Sequence, residues 1–145
     1  MSVTIGVQIG KAIYNILSND SSLINVTGMA VNKIQPSPLI REGDSNIGVV
    51  YEISAVNPVN VKRPTYRVAT APLYNVTFTI ECIHTVYHDS IIMADLVCQA
   101  LQQAAIGTYN NVKLGGINLD TMTEAYNKER RFYSKILTFD ARVLL

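Results

Sequence analysis

Charged side chains are scarce in this sequence. Asp, Glu, Lys and Arg make up 16% of the 145 residues, whereas an average soluble domain has about 25%. The formal net charge is only +1, so the chain lacks the concentrated basic field that attracts nucleic acid or anionic lipid. Charge alone therefore indicates no nucleic-acid or membrane partner. The shortage of solvating groups favours a surface that is partly covered by neighbouring subunits.

Cysteine and long apolar runs are also in short supply. Cys82 and Cys98 are too few and too far apart for a disulfide framework, so we expect both to be reduced core residues. No stretch of about eighteen apolar residues occurs, and the N-terminus shows no basic leader before an apolar run. These absences favour a soluble protein made in the cytoplasm.

Helical spacing of apolar residues predicts two helices. The first covers about residues 3–18 and should stop at the small polar residues that follow. A second apolar face begins at Asp89 or Ser90, either of which can act as the N-cap, and this helix is expected to end at Gly107.

Alternation of apolar and polar residues predicts the strands. Residues 76–84 have this period, as does the C-terminal stretch 131–145, and the apolar stretch 47–54 is predicted to be a further strand. After a predicted turn at residues 107–111, residues 112–126 resemble a strand that is interrupted by a Gly-Gly pair. Prolines and glycine between residues 34 and 46 predict a loop.

The order of these elements predicts an α+β domain over residues 1–145, with a mostly antiparallel sheet and two helices packed on one face. Residues 55–72 contain three prolines and three basic residues, which is too interrupted for a central strand. We interpret them as a projecting loop or hairpin that becomes ordered on a partner.

One short stretch concentrates groups that could carry chemistry, namely Cys82, His84 and His88. A small metalloenzyme using these three residues is one hypothesis, but their spacing matches no established metal motif. A nucleophilic site would need a histidine and an orienting acid, and no nucleophile elbow is present. The favoured interpretation is a core strand followed by a helix-capping turn, with no catalytic residue, metal or cofactor.

Two charged segments are candidate contact sites. The first could bind a protein partner or a phosphate backbone, or could keep a loop solvated. The second could form a rim of ion pairs between subunits or be a solvated turn. The candidate residues are Lys62, Arg63, Tyr66 and Arg67 in the first segment, and Glu129, Arg130 and Arg131 in the second.

The pattern of the whole chain resembles the tail completion or tail terminator proteins of long-tailed bacteriophages. An opening helix ends in NDSSLINVTG and is followed by KIQPSP and the apolar strand IGVVYEIS. In the second half, VTFTIECIHTVYHDS leads into the helix IIMADLVCQALQQA, and the closing segment is INLDTMTEAYNKERRFYSKILTFDARV. These are similarities of apolar spacing, without invariant catalytic motifs.

The resemblance implies a structural virion protein of the tail or neck, assembled in the host cytoplasm. Such proteins form a ring, usually a hexamer, which ends tail-tube growth and joins the tail to the head. The implied partners are further copies, tail-tube protein and head-connector proteins, while DNA passes through the lumen without specific binding. A head-to-tail connector of higher symmetry, such as a dodecamer, is the alternative within the same class. No enzymatic activity is implied.

Overall fold

Three helices and one six-stranded sheet are formed by the residues that the computed structural model describes, which are 4–26, 29, 33–36, 47–58, 73–103, 107–109 and 112–144. The elements in chain order are α1 (Thr4–Ser18), α2 (Ser21–Ile24), β1 (Ile34–Pro36), β2 (Gly48–Pro58), β3 (Leu73–His84), α3 (Tyr87–Gln102), β4 (Gly107–Tyr109), β5 (Val112–Asn127) and β6 (Phe132–Leu144).

The strand order across the sheet is β1-β2-β3-β6-β5-β4. β1 is parallel to β2, and all the other pairings are antiparallel. α1 packs on β1 and β2, α3 packs on β3, β5 and β6, and the two helices contact each other. The predicted class, an α+β domain with helices on one face of a mostly antiparallel sheet, is confirmed. The short helix α2 is an addition to the two helices that were predicted.

The main core lies between this sheet face, called the helix side here, and α1 and α3. Phe78 and Phe139 are directly paired across β3 and β6, and their ring centroids are 5.3 Å apart. The predicted inward positions are buried as expected: Val76, Phe78, Ile80 and Cys82 on β3, and Leu137, Phe139, Ala141 and Val143 on β6. Because alternate residues of a strand face opposite sides, Asp140 and Arg142 are exposed on the other face.

The helix ends differ from the predicted ones. The N-cap of α3 is Val86, which makes no side-chain capping bond, while Asp89 lies inside the first turn. α3 ends at Gln102, before the predicted end at Gly107. A capping oxygen is found instead at α2, where Asp20 Oδ1 accepts from the Leu23 amide at 3.1 Å. β3 ends at His84 and α3 already begins at Tyr87, so the helix starts before the predicted caps, Asp89 and Ser90.

Three predicted loops are partly strand. Ile34–Pro36 forms β1 at the edge of the sheet, where a proline is tolerated because it need not donate to a second neighbour. Residues 55–58 continue β2 and pair with β3, and the rest of the predicted projecting segment, 59–72, lies outside the described residues. Gly107–Tyr109, predicted as a turn, pairs with the start of β5 as β4.

The predicted interruption of β5 at the Gly-Gly pair is a bulge. The pairing register with β6 shifts between Leu114 and Ile117, and shifts again between Leu119 and Thr121. Because a one-residue slip reverses the face that every later side chain takes, such bulges control which residues point to the helix side. Across both shifts, Leu114, Ile117, Leu119 and Met122 all pair with helix-side residues of β6.

Candidate interaction surface

The predicted contact residues fall into two groups. Lys62, Arg63, Tyr66 and Arg67 lie outside the described residues. Glu129, Arg130 and Arg131 lie in the tight turn that joins β5 to β6. The structure therefore locates the second group at one end of the longest hairpin of the sheet.

Asn127 organises that turn through its side chain and backbone. Its Oδ1 accepts from the amides of Glu129 at 3.1 Å and Arg130 at 3.0 Å, and its carbonyl accepts from the Arg131 amide at 2.7 Å. Arg131 has a φ of 58°, in the left-handed region that favours glycine. The side chains of Glu129 and Arg131 are exposed at the tip.

The structure does not bring Cys82, His84 and His88 together as a metal site. Cys82 is buried in the core, where burial raises the pKa of its thiol far above the ordinary value. His84 is 1% exposed, whereas His88 is exposed on α3. Across the part of the chain that the structure describes, no group of three His, Cys, Asp or Glu residues could hold a metal ion.

His84 instead helps to shape the junction between β3 and α3. Its Nδ1 accepts a hydrogen bond from the Val86 amide at 2.9 Å, and its Nε2 lies 3.7 Å from Asp89 Oδ2. Ser90 Oγ donates to the Tyr87 carbonyl at 2.6 Å in the same turn. These contacts support the interpretation of this stretch as a core strand followed by a turn into a helix.

The outer strand β5 has a long unpaired side. Among the described residues, only β4 pairs with that side, and it covers no more than Val112–Leu114. Within the described ranges, Ile117–Asn127 thus has no strand partner on this side, and its backbone is called the β5 open edge here. Exposed strand edges are sites where another strand can add through backbone hydrogen bonds.

The β5 open edge is supported by a tyrosine cluster consisting of Tyr87, Glu124, Tyr126, Tyr133 and Lys135. Tyr87 Oη donates to Glu124 Oε1 at 2.9 Å, and Lys135 forms an ion pair with the same carboxylate. The Lys135 Nζ lies 5.1 Å from the centre of the Tyr87 ring. The Tyr133 ring centroid is 5.2 Å from that of Tyr87 and 4.7 Å from that of Tyr126.

This cluster continues the helix side of the sheet beyond the buried core. Lys135 pairs with Cys82 and Tyr133 pairs with His84, so both lie in the same rows as core residues. Met122 and Tyr126, on the neighbouring strand, are 56% and 47% exposed. Large apolar side chains next to an open backbone edge are typical of a protein contact surface.

The other lateral edge of the sheet, next to β1, has a second unpaired segment among the described residues. β1 pairs with Val49–Tyr51 only, and in the described ranges no strand pairs with the outer side of Glu52–Pro58. This segment is called the β2 open edge. The two open edges lie at opposite lateral edges of the same sheet, because β3 and β6 lie between β2 and β5.

A groove adjoins the β2 open edge on the helix side. Its volume is about 580 Å³. The groove, called the α1 groove here, is lined by Gly6, Val7, Gly10, Lys11, Pro36, Tyr51, Glu52 and Ile53. Val7 is 55% exposed there. The groove is thus largely apolar and open to solvent.

The two glycines of α1 create this space. A Cβ at Gly10 would approach the Tyr51 ring to 3.3 Å, whereas a Cβ at Gly6 would meet nothing within 4 Å. Burial is the main cause that raises the pKa of the Tyr51 hydroxyl, with Tyr14 as the second cause. Tyr51 therefore stays a neutral wall of the groove at physiological pH.

Sequence reasoning did not identify the β5 open edge, the α1 groove or the tyrosine cluster. The length of the predicted strand 112–126 could have indicated the edge. The residues between this strand and the preceding helix are too few to form a partner strand of equal length. The groove could have been indicated by Gly6 and Gly10, which occupy one side of a predicted helix at a spacing of four.

Sequence comparisons give no family for this chain. No protein-family model matches the sequence, and no curated protein matches it either. Within the described residues, no helix is long and apolar enough to cross a membrane.

Solved structures do share the fold. One is a chain of the virion of a native gene transfer agent particle, at a TM-score of 0.70 and 17% sequence identity, covering 99% of this chain and 98% of that one. A second solved structure, whose description gives no function, is similar at a TM-score of 0.52 and 10% identity, covering 96% of this chain and 95% of that one. Both likenesses extend over almost the entire length of both chains.

Proposed function

We propose that this chain is a structural subunit of a phage or phage-like virion, and that it forms a ring at the head-proximal end of the tail. The ring ends the growth of the tail tube and joins the tail to the head. The observation that carries this proposal is that, among the described residues, both lateral edges of one sheet have unpaired segments. When two different surfaces of a subunit bind each other, the contacts repeat from copy to copy and can close into a ring.

The fold comparison supports the class of particle. A subunit of a gene transfer agent virion has the same fold over almost its whole length. The low charge content supports assembly, because a subunit with neighbours on two sides needs fewer solvating groups. A hexamer is the proposed ring, with tail-tube and head-connector proteins as its further partners.

A head-to-tail connector ring of higher symmetry, such as a dodecamer, is the second candidate. Both candidates use two complementary surfaces on each subunit, so they differ in the angle between neighbouring copies. Counting subunits in electron micrographs of end-on rings separates the two. Sixfold rings support the tail ring, and twelvefold rings support the connector.

The role at the tail is tested with polymerising tail-tube protein of the same particle. The proposal predicts that added ring protein shortens the tubes and is found at one end of each tube in electron micrographs. A sample of this chain that has been irreversibly unfolded by heat serves as the control. Tubes of unchanged length with no end-bound density would contradict the proposed role.

A further inference from the structure

In the part of the chain that the structure describes, β2 and β5 are each covered on their outer side along only part of their length, by a short neighbouring strand. β1 pairs with Val49–Tyr51 near the start of β2, and β4 pairs with Val112–Leu114 at the start of β5. Three antiparallel pairings separate β2 from β5, so these two strands run in opposite directions. The covered parts therefore lie at opposite ends of the sheet, and the two open edges do so as well.

This arrangement makes the two edges complementary in a pair of copies. If a second copy stands beside the first with the same face forward, β5 of one runs antiparallel to β2 of the other. Across the sheet, Glu52 lies level with Thr121 and Pro58 lies level with Leu114. The open edges therefore meet along their length when the second copy is also displaced along the strands by several residues, and β1 of one copy and β4 of the other then lie at opposite ends of the joint. Both edges present the backbone groups that pair in an antiparallel ladder.

The bulges limit which strand can add at these edges. β2 has a register shift between Ile53 and Ala55, and β5 has one between Leu119 and Thr121. A bulge bends an edge and discourages pairing with any flat strand. A bent edge pairs better with another strand that is also bent. The open edge of a second copy is such a strand.

The side chains beside the two edges are also complementary. Met122 and Tyr126 project from the β5 open edge on the helix side. In a joined sheet with both helix sides forward, the α1 groove of the neighbour opens on that same side, next to Ile53 of the β2 open edge. One copy thus offers an exposed apolar side chain where the other offers a cavity.

We infer that Ile117–Asn127 of one copy pairs antiparallel with Glu52–Pro58 of the next copy, and that Met122 enters the α1 groove of that neighbour. The inference rests on the proposed ring and specifies its contact surface. Burial of Met122 against Val7 and Ile53 supplies the apolar contact, and the backbone ladder fixes the orientation. The tyrosine cluster holds β5 in place before β5 pairs with the neighbouring copy.

The direct test is a disulfide between the two surfaces. We would combine Val7→Cys and Met122→Cys in a Cys98→Ala background, leaving the buried Cys82 unchanged. The inference predicts that mild oxidation produces a ladder of covalent oligomers that ends at the subunit number of the ring. A mixture of the two single variants should stop at dimers, since each copy then has only one reactive surface.

The matched control for the disulfide combines Val7→Cys with Asn75→Cys. Asn75 is also exposed, but it lies on the central strand β3, on the face opposite the helix side. No ladder is expected from this pair. If this pair gave covalent oligomers in equal yield, the cross-links would result from random collisions, and the inferred contact would be contradicted.

A second test fills the groove. Gly6→Leu is compatible with the folded subunit, because a Cβ there meets nothing within 4 Å and leucine is a better helix former than glycine. The protein concentration needed for half-maximal assembly should rise at least tenfold. Gln8→Leu, on an exposed position of α1 outside the groove lining, should leave assembly unchanged.

The outcomes separate this inference from the proposed function. Rings seen by native mass spectrometry, without a cross-linked ladder and with normal assembly of Gly6→Leu, would overturn the inferred contact and leave the ring intact. Absence of rings from the unsubstituted protein at every concentration would overturn both. A ladder together with impaired assembly of Gly6→Leu supports both.

Discussion

The two halves of the β5–β6 hairpin belong to the same ladder but serve different purposes. In the inner half, Ile117 and Leu119 pair with Ala141 and Phe139 beneath α3, and the helix side is buried. In the outer half, the same side carries Met122 and the tyrosine cluster, and much of it is exposed. The inner half stabilises the subunit, whereas we propose that the outer half presents an edge to a partner.

The difference shows how one strand can be both core and contact surface. Core residues on β5 are replaced, past the second bulge, by side chains that combine apolar area with polar groups. Such residues tolerate water in the free subunit and can still exclude it in a complex. The following substitutions test this division, from the largest expected effect to the smallest.

Phe139→Ala should destabilise the subunit most, by about 3–5 kcal/mol, because it removes a buried ring and leaves a cavity. The ring of Phe139 stacks on that of Phe78 in the centre of the inner half. Urea unfolding measured by circular dichroism provides the free energy. Met122→Ala is the matched control, and an equal loss of stability from it would contradict the division between the halves.

Glu124→Ala should lower the free energy of unfolding by about 1–2 kcal/mol, because a nearly buried ammonium loses its carboxylate. The Lys135 side chain is 8% exposed and that of Glu124 is 53% exposed. Lys135→Met keeps the packing and removes the charge, so it should change stability by less than about 1 kcal/mol. Urea unfolding of both variants and of the double variant checks this.

In the Lys135→Met background, Glu124→Ala should lose at least half of its effect. The remainder reports the hydrogen bond from Tyr87 to the same carboxylate. Fully additive effects of the two substitutions would show that the ion pair does not couple the strands of the outer half.

Cys82 on β3 lies opposite Lys135 of the outer half, and its titration gives a pH-dependent prediction. Burial raises the pKa of the Cys82 thiol above its ordinary value of 9.0, so the unfolded chain loses this proton first as the pH rises. Stability from this group is complete below pH 9 and falls by about 1.4 kcal/mol for each further pH unit.

Urea unfolding between pH 8 and pH 10.5 measures this effect against a Cys82→Ala variant. Cys98, whose thiol pKa is also raised by burial, is present in both proteins. The stability of the parent should fall more steeply with pH than that of the variant. Parallel curves would mean that Cys82 is accessible to solvent in the folded subunit.

Arg131→Gly should have the smallest effect, a gain in stability of less than about 1 kcal/mol. Arg131 has a left-handed φ of 58°, which glycine adopts without steric cost. Lys128→Gly in the same turn is the control and should be neutral or destabilising, because its φ is not positive. Thermal unfolding distinguishes the two, and equal shifts would contradict the strain at Arg131.

Much of the fold followed from local periodicity. The α+β class, α1 and the inward rows of β3 and β6 were predicted correctly, because apolar residues recur without interruption at the helix or strand period in these segments. The predicted ends of α3 were wrong. At its start, the buried His84 accepts from the Val86 amide, and this local contact places the N-cap at Val86 before Asp89.

The candidate surface was harder to predict. Glu129 and Arg131 were predicted contact residues because of their charge. The β5 open edge next to them, like the β2 open edge, is a property of the backbone that no residue type indicates. Which part of β2 or β5 stays unpaired depends on where β1 and β4 end. Pairing between strands distant in sequence cannot be derived from local alternation alone.

Native mass spectrometry over a range of protein concentrations tests the central claim most directly. The account predicts a dominant species at six times the 16.0 kDa mass of one subunit, which dissociates on dilution without populating larger aggregates. A chain that remains a monomer at every concentration, alone and with tail-tube protein, would contradict it.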